Sequence, residues 1–151
     1  MEYSNLSEIL NKQEKNLKEL LKIVTSKQEA LVSNNNENLN DLISKEEKLL
    51  LQLQITEERR LEILKSIYEE NNIKNERFKL DVMIEALKDK LKKEFVEDIM
   101  NSKNRIKNTI KQVTKINQQN LVLIQQSREL LNNTIQAVIN ATNRSILDRK
   151  G

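Results

Sequence analysis

Residues 17–50 read LKELLKIVTSKQEALVSNNNENLNDLISKEEKLL. On both sides of the central Asn34-Asn35-Asn36 cluster, apolar residues recur at spacings of three and four, which is the period of one helix face. Asparagine tolerates the left-handed backbone that ends a helix, so the cluster predicts a turn. Two long helices joined by a few residues must pack side by side. The stretch therefore predicts an antiparallel helical hairpin.

The limits of the hairpin follow from capping residues and polar stretches. We expect the first helix over about residues 4–33, with Ser4 as its N-terminal cap. The second helix is expected to end in the polar, asparagine-containing stretch at 69–72. The whole chain of 151 residues has a single glycine, Gly151, and no proline. Strand-connecting turns depend on these two residues, so the composition favours an all-α fold.

The apolar period resumes at Leu80 and continues to Val138. One uninterrupted helix over 78–142 would be about 97 Å long, nearly twice the hairpin, and half of it would have no partner. We therefore expect a break between 89 and 104, with a new helix capped at Asn101-Ser102 or, alternatively, a break at Lys92-Lys93-Glu94.

These elements predict an elongated antiparallel hairpin, a short third helix and a long C-terminal helix. Together they would form a three- to four-helix bundle with packing like that of a coiled coil. Residues 1–143 are expected to form a single domain. The periodicity is lost after residue 143, so 144–151 are expected to be a disordered tail.

Composition excludes several classes of function. The chain has no histidine and no cysteine, so zinc sites and Ser-His or Cys-His nucleophile pairs cannot form, and it lacks the glycines of a phosphate-binding loop. We expect neither an enzyme nor a bound cofactor or metal. Neither a secretory signal nor an apolar run long enough for a membrane span is evident, so we expect a cytoplasmic protein without stable membrane insertion.

Charge is dense but nearly balanced, with 26 basic and 23 acidic residues. A balance of +3 is not typical of a nucleic-acid binder, and no nucleic-acid partner is expected. A ladder of lysines at four-residue spacing is interpreted as a solvated face, because like charges on one helix face repel. Its members are Lys103, Lys107, Lys111 and Lys115.

The last helix has more apolar surface between 116 and 139 than one hairpin can cover. Its main seam includes Asn117, Asn120, Ile124, Ser127, Leu131 and Val138, and flanking lines add Ile116, Leu123, Leu130 and Ile135. This surface could pack on the third helix, close a homodimer or receive a partner helix. The polar seam residues could fix the register of packing or bond to a bound segment.

Four segments in this order resemble the FlgN-type flagellar export chaperones. They are LLKIVTSKQEALV at 20–32, LNDLISKEEKLL at 39–50, EERR at 57–60 and NQQNLVLI at 117–124. The resemblance covers about residues 6–140. It implies a cytoplasmic chaperone that holds hook-filament junction proteins before export, with export-apparatus components as further partners.

In that family the last helix grips a C-terminal segment of the exported protein. Carried over by position, the resemblance points to a binding site on the last helix. Its residues would be Asn117, Asn120, Leu123, Ile124, Ser127 and Leu131, extended by Ile116, Leu130, Ile135 and Val138. The alternative is a structural helical adaptor or a homodimeric coiled-coil protein without a role in export.

Overall fold

The computed structural model describes residues 2–74 and 77–150, with only the backbone described for 144–150. Four helices follow one another along the chain: α1 (Glu2–Val32), α2 (Asn36–Glu70), α3 (Leu80–Leu87) and α4 (Lys93–Lys150). The described residues contain no strand. This confirms the predicted all-α fold with a hairpin, a short third helix and a long C-terminal helix.

Asparagines form both turns that bound α2. Asn34 has a φ of 56° and Asn72 a φ of 54°, the left-handed region that glycine usually supplies. The side chain of Asn35 caps α2 by accepting a 3.2 Å hydrogen bond from the backbone N–H of Asn38. The predicted cap at Ser4 is wrong, because α1 already begins at Glu2 and Ser4 lies inside it.

The break between α3 and α4 lies at 88–92. The prediction of a new helix capped at Asn101-Ser102 is wrong, since both residues lie inside α4, where Ser102 is buried. The alternative at Lys92-Lys93-Glu94 is the place where α4 begins. The physical reason is packing: Leu91, within the connection, and Ile99, inside α4, both contact the main core, so the chain has to turn well before Asn101.

All four helices meet in this main core at one end of the molecule. Each side chain buried there stabilises the fold by roughly 1.5–3 kcal/mol. Its most completely buried members are Leu6 and Leu10 from α1, Leu64, Ile67 and Tyr68 from α2, Met83 from α3 and Ile99 from α4. Two edge-to-face aromatic pairs lie beside it, Tyr3 with Phe95 and Tyr68 with Phe78.

The first helix is the centre of the bundle. It packs along α2 and along α4, whereas α2 and α4 share no extended contact. Antiparallel α2 is held by a 2.7 Å hydrogen bond from Gln13 to Glu57 and a 3.0 Å ion pair between Lys27 and Glu46. Away from the main core, the fold is thus a three-helix arrangement with α1 in the middle.

The fourth helix runs parallel to α1 and starts at the same end of the molecule. Tyr3 contacts Phe95 near the start of both helices, and Gln28 donates a 2.9 Å hydrogen bond to Gln119 near the end of α1. With 58 residues, α4 is far longer than α1 with 31. It therefore continues beyond the hairpin turn for roughly 40 Å.

This overhang corrects one expectation and leaves another untested. The break is predicted because an unbroken helix would have no partner along half of its length, but α4 is exposed from 125 to 143, the last residues whose side chains the structure describes. The backbone of 144–150 continues α4, while its side chains and Gly151 lie outside the described residues. The single domain over 1–143 and the disorder of 144–151 stay predictions. Within the described helices, none combines the length and apolar character that crossing a membrane requires.

Candidate functional site

The outer part of α4, residues 125–143, is called the projecting segment here. Every side chain in it is exposed. Five of them are large and apolar, with exposed fractions between 45% and 69%: Leu130, Leu131, Ile135, Val138 and Ile139. A contiguous apolar surface of this kind on a highly charged chain is typical of a site for another protein.

The projecting segment stays helical because nothing in it breaks the backbone pattern. Glycine and proline are absent from it, and the threonine hydroxyls turn back onto the helix. Thr134 donates to the carbonyl of Leu130 at 2.8 Å, and Thr142 donates to the carbonyl of Val138 at 2.9 Å. These bonds satisfy the two threonine hydroxyls within the helix, so the threonines do not need a partner from elsewhere.

The apolar face of the segment continues the buried face of α4. Val113 and Asn120 are buried against α1, and Leu131 and Val138 follow at further multiples of the helical period. What changes along the helix is the availability of α1, which ends at Val32. The same stripe is therefore a packing surface in one half of α4 and an open surface in the other.

The structure divides the predicted site residues into three groups. Ile116 packs on a small second core of Leu20, Val24 and Val113, and Asn120 is buried beside it. Leu123 and Ile124 are half-buried at the boundary. The remaining six are exposed: Asn117, Ser127, Leu130, Leu131, Ile135 and Val138.

Asn120 therefore has a role inside the fold. Its Nδ2 donates a 3.0 Å hydrogen bond to the backbone carbonyl of Val24 in α1. Its Oδ1 is buried and has no hydrogen-bond partner among the described residues. A buried amide that is only half satisfied is expected to fix packing register more than to add stability.

Sequence reasoning did not select Val122 and Gln28, which lie at the boundary. Together with Leu123 and three polar residues of α4, they line a shallow depression of about 520 Å³. The signal for Val122 was present in the run Leu121–Ile124, since four consecutive apolar residues cannot all face α1. Gln28 could be located only once the parallel pairing of α1 with α4 was known.

Charges hold α4 in register but are scarce at the site itself. Arg105 donates to Glu14 from Nε at 2.6 Å and from Nη2 at 3.3 Å, and this contact lowers the pKa of the Glu14 carboxyl. By contrast, residues 116–143 carry only two charges, Arg128 and Glu129. The site can therefore recognise a partner by apolar contact and by amide hydrogen bonds, with little help from charge.

The comparison with protein families covers nearly the whole chain, including the projecting segment. The family model described as FlgN protein matches residues 1–149, which includes the hairpin and the projecting segment. Neither the curated proteins nor the solved structures contain a match. The FlgN proteins are chaperones of flagellar export. With a match over nearly its full length, the chain belongs to the FlgN family of flagellar export chaperones.

Proposed function

We propose that this chaperone acts in the cytoplasm and binds the C-terminal segment of a hook-filament junction protein on the apolar face of α4 within 116–139, over the part from Leu123 onward that α1 does not bury. The general role in flagellar export comes from family membership. The choice of junction proteins and of this face is our inference. Components of the export apparatus are also proposed to bind this chaperone.

One observation carries the proposal. Leu131, Ile135 and Val138 are exposed at helical spacing on a continuous helix, on the stripe that α1 covers further back. Burying these three side chains would contribute at most about 4–9 kcal/mol. Ordering a disordered segment removes part of this gain, so the expected affinity is moderate and the segment can be released.

The proposed mechanism is coupled folding and binding. An amphipathic segment that is disordered and prone to aggregation when free would lie along the stripe as a helix. It would take the place beside the projecting segment that α1 takes beside the inner half of α4. The step requires no covalent chemistry, and we expect none from this chain.

The test compares two charge insertions at positions that are similarly exposed. Leu131→Asp lies on the projecting segment, and Leu51→Asp lies on α2, with exposed fractions of 59% and 57%. Calorimetric titration with a peptide of the C-terminal segment of a junction protein should show at least a tenfold loss of affinity for Leu131→Asp alone. Circular dichroism should show the same helix content in both variants.

Two results would contradict the proposal. One is unchanged affinity of Leu131→Asp for the junction-protein peptide. The other is a tight dimer of the wild-type chain at low micromolar concentration that buries the projecting segment, which would support the homodimeric adaptor instead. Sedimentation of wild type and Leu131→Asp distinguishes the two functions.

A further inference from the structure

A groove of about 860 Å³ runs between α2 and α4, with α1 as its floor. Leu10 and Leu17 line the floor, Leu53 lines the α2 side, and Ile106 and Ile110 line the α4 side. Ile110 is 47% exposed on the α4 side of the groove, between Lys107 and Lys111. The groove exists because α2 and α4 both pack on α1 and not on one another.

At one end of the groove, α3 shows what fits there. Leu80, Met83, Ile84 and Leu87 of α3 are buried in the main core, so the bundle has four helices at this level. Leu80 also lines the end of the groove. With eight residues, α3 is only about 12 Å long, whereas α1 continues for about 46 Å. Further along the groove, no described helix fills the place beside α1, α2 and α4 that α3 fills at the end.

Lysines recur every four residues along the α4 side of the groove, and α3 provides a carboxylate for one of them. Asp81 of α3 forms an ion pair with Lys103. Lys107 and Lys111, one and two turns further along the same rim, line the groove and have no ion pair or hydrogen bond within the described part of the chain. On the opposite rim Glu57 is already bonded by Arg60 and Gln13, so it does not neutralise these lysines.

We propose that this groove binds an amphipathic helix with an acidic edge from a partner protein, in line with α3. Its apolar face would cover Leu53 and Ile110. Its carboxylates would meet Lys107 and Lys111 as Asp81 meets Lys103. The site is separate from the apolar face of the projecting segment, so a chaperone could hold an exported segment on one surface and a second protein on the other.

The apolar lining of the groove decides between two classes of partner. A nucleic acid would use the lysines but gain nothing from covering Leu53 and Ile110, and its backbone would be desolvated there. An amphipathic helix uses both the charges and the apolar lining. Of the lysine ladder predicted as a solvated face, Lys107 and Lys111 are then solvated only while the groove is empty, and Lys103 is paired with Asp81.

The experiment uses two synthetic peptides of three heptads with leucines on one face. One carries glutamates along a single edge of that face, and the other carries lysines there. Because the chain has no cysteine, Thr114→Cys, an exposed position one turn beyond Ile110 that does not line the groove, places one fluorophore beside the groove, and Val138→Cys places one on the projecting segment. We expect the glutamate peptide to change the signal at Thr114→Cys and the lysine peptide to bind at least tenfold more weakly.

Charge reversal supplies the decisive variant. Lys107→Glu with Lys111→Glu should weaken binding of the glutamate peptide about tenfold, from two lost ion pairs and two new repulsions. The matched control is Lys12→Glu with Lys15→Glu, exposed lysines of α1 that do not line the groove. The control makes the same change in net charge and should alter affinity by less than twofold.

Several outcomes would overturn the proposal. They are equal binding of the two peptides, equal effects of the two double variants, or a response only at Val138→Cys. Displacement of the glutamate peptide by single-stranded RNA at physiological salt would assign the groove to nucleic acid. A wild-type dimer that dissociates on Lys107→Glu with Lys111→Glu would assign it to a second copy of the chain. None of these results depends on how Leu131→Asp behaves with a junction-protein peptide.

Discussion

Asn120 of α4 donates a hydrogen bond from its Nδ2 to the backbone carbonyl of Val24 in α1, at 3.0 Å. Asn120 is 3% exposed, and no residue from 121 to 143 is buried. This contact therefore marks where α4 stops belonging to the bundle. Before Asn120 the helix packs on α1, and after Asn120 its apolar stripe is exposed.

The Asn120 contact should make a measurable contribution to stability. Asn120→Ala removes the hydrogen bond to Val24, and we expect the free energy of unfolding to fall by about 1 kcal/mol. Urea denaturation followed by circular dichroism should show a lower midpoint with an unchanged m-value. Asn117→Ala, an exposed control three residues away, should stay within about 0.5 kcal/mol of wild type. Equal midpoints for the two variants would show that the bond contributes nothing.

The two halves of α4 should differ in hydrogen exchange. Residues 99–113 are held by α1 and the main core, whereas every side chain of 125–143 is exposed, so little packing supplements a marginal isolated helix there. We expect amides of 125–143 to exchange at least tenfold faster in the free chain, measured by mass spectrometry of peptic fragments.

Addition of a junction-protein C-terminal peptide should slow exchange in 125–143 and leave 99–113 unchanged. Slow exchange of 125–143 in the free chain would contradict this prediction, and coverage of the segment by a second copy would be one cause. Repeating the measurement after tenfold dilution separates that case from an intrinsically stable helix.

Tyr68 connects α2 to the segment that leads into α3. Its hydroxyl donates to the carbonyl of Lys79 at 2.6 Å and accepts from the N–H of Lys79 at 3.0 Å, and burial raises the pKa of this phenol. Tyr68→Phe removes both bonds, so we expect a loss of about 1–2 kcal/mol in the free energy of unfolding.

The control for Tyr68 is Tyr3→Phe, which loses only a 3.4 Å hydrogen bond from Asn71. That variant should remain within about 0.5 kcal/mol of wild type in the same urea titration. If Tyr68→Phe were as stable as Tyr3→Phe, the two hydrogen bonds to the backbone of Lys79 would not help to hold the segment before α3 in position.

The Glu14–Arg105 ion pair should make stability depend on acid pH. Arg105 holds the pKa of Glu14 below its ordinary value of 4.5, and Arg60 does the same for Glu57. Because the folded pKa is the lower one, the stabilisation is present above about pH 4.5 and is lost as pH falls below it towards the folded value. We expect the urea midpoint of wild type to fall in that range.

Substitutions of Glu14 and Arg105 test whether their ion pair causes this loss of stability at acid pH. Glu14→Gln should flatten the dependence of the midpoint on pH below 4.5, and Arg105→Gln should flatten it less, because Lys18 still lowers the pKa of Glu14. The double variant should flatten it no further than Glu14→Gln, because the interaction with Arg105 is already gone. Additive effects of the two changes would show that each residue acts through other neighbours.

Capping chemistry illustrates how far sequence reasoning could go. Asn34 and Asn72 adopt the left-handed conformation that the asparagine clusters predict, since that preference is local. Asn101-Ser102 has equally suitable side chains, but it lies inside α4 because Ile99 nearby is needed in the main core. A residue that can cap a helix is also tolerated within one, and only packing chooses between the two.

The site shows the same division. The excess apolar surface at 116–139 was readable from spacing, but spacing could not separate Asn120, which is buried against α1, from Leu131, which is exposed. Packing of the extra surface on the third helix is wrong for the projecting segment, because α3 packs into the main core at the opposite end from the hairpin turn. The groove above α3 had only the lysine ladder as its sequence signal.

The helices, the asparagine turns and the long apolar period of the last helix follow from local sequence. They depend on interactions between residues a few positions apart, which a single chain segment contains. The parallel alignment of α4 with α1, both starting at the same end, depends instead on long-range packing. That alignment comes from contacts such as Tyr3 with Phe95, between residues distant in sequence. Since α4 is longer than α1, the alignment leaves its outer apolar stripe free for another protein.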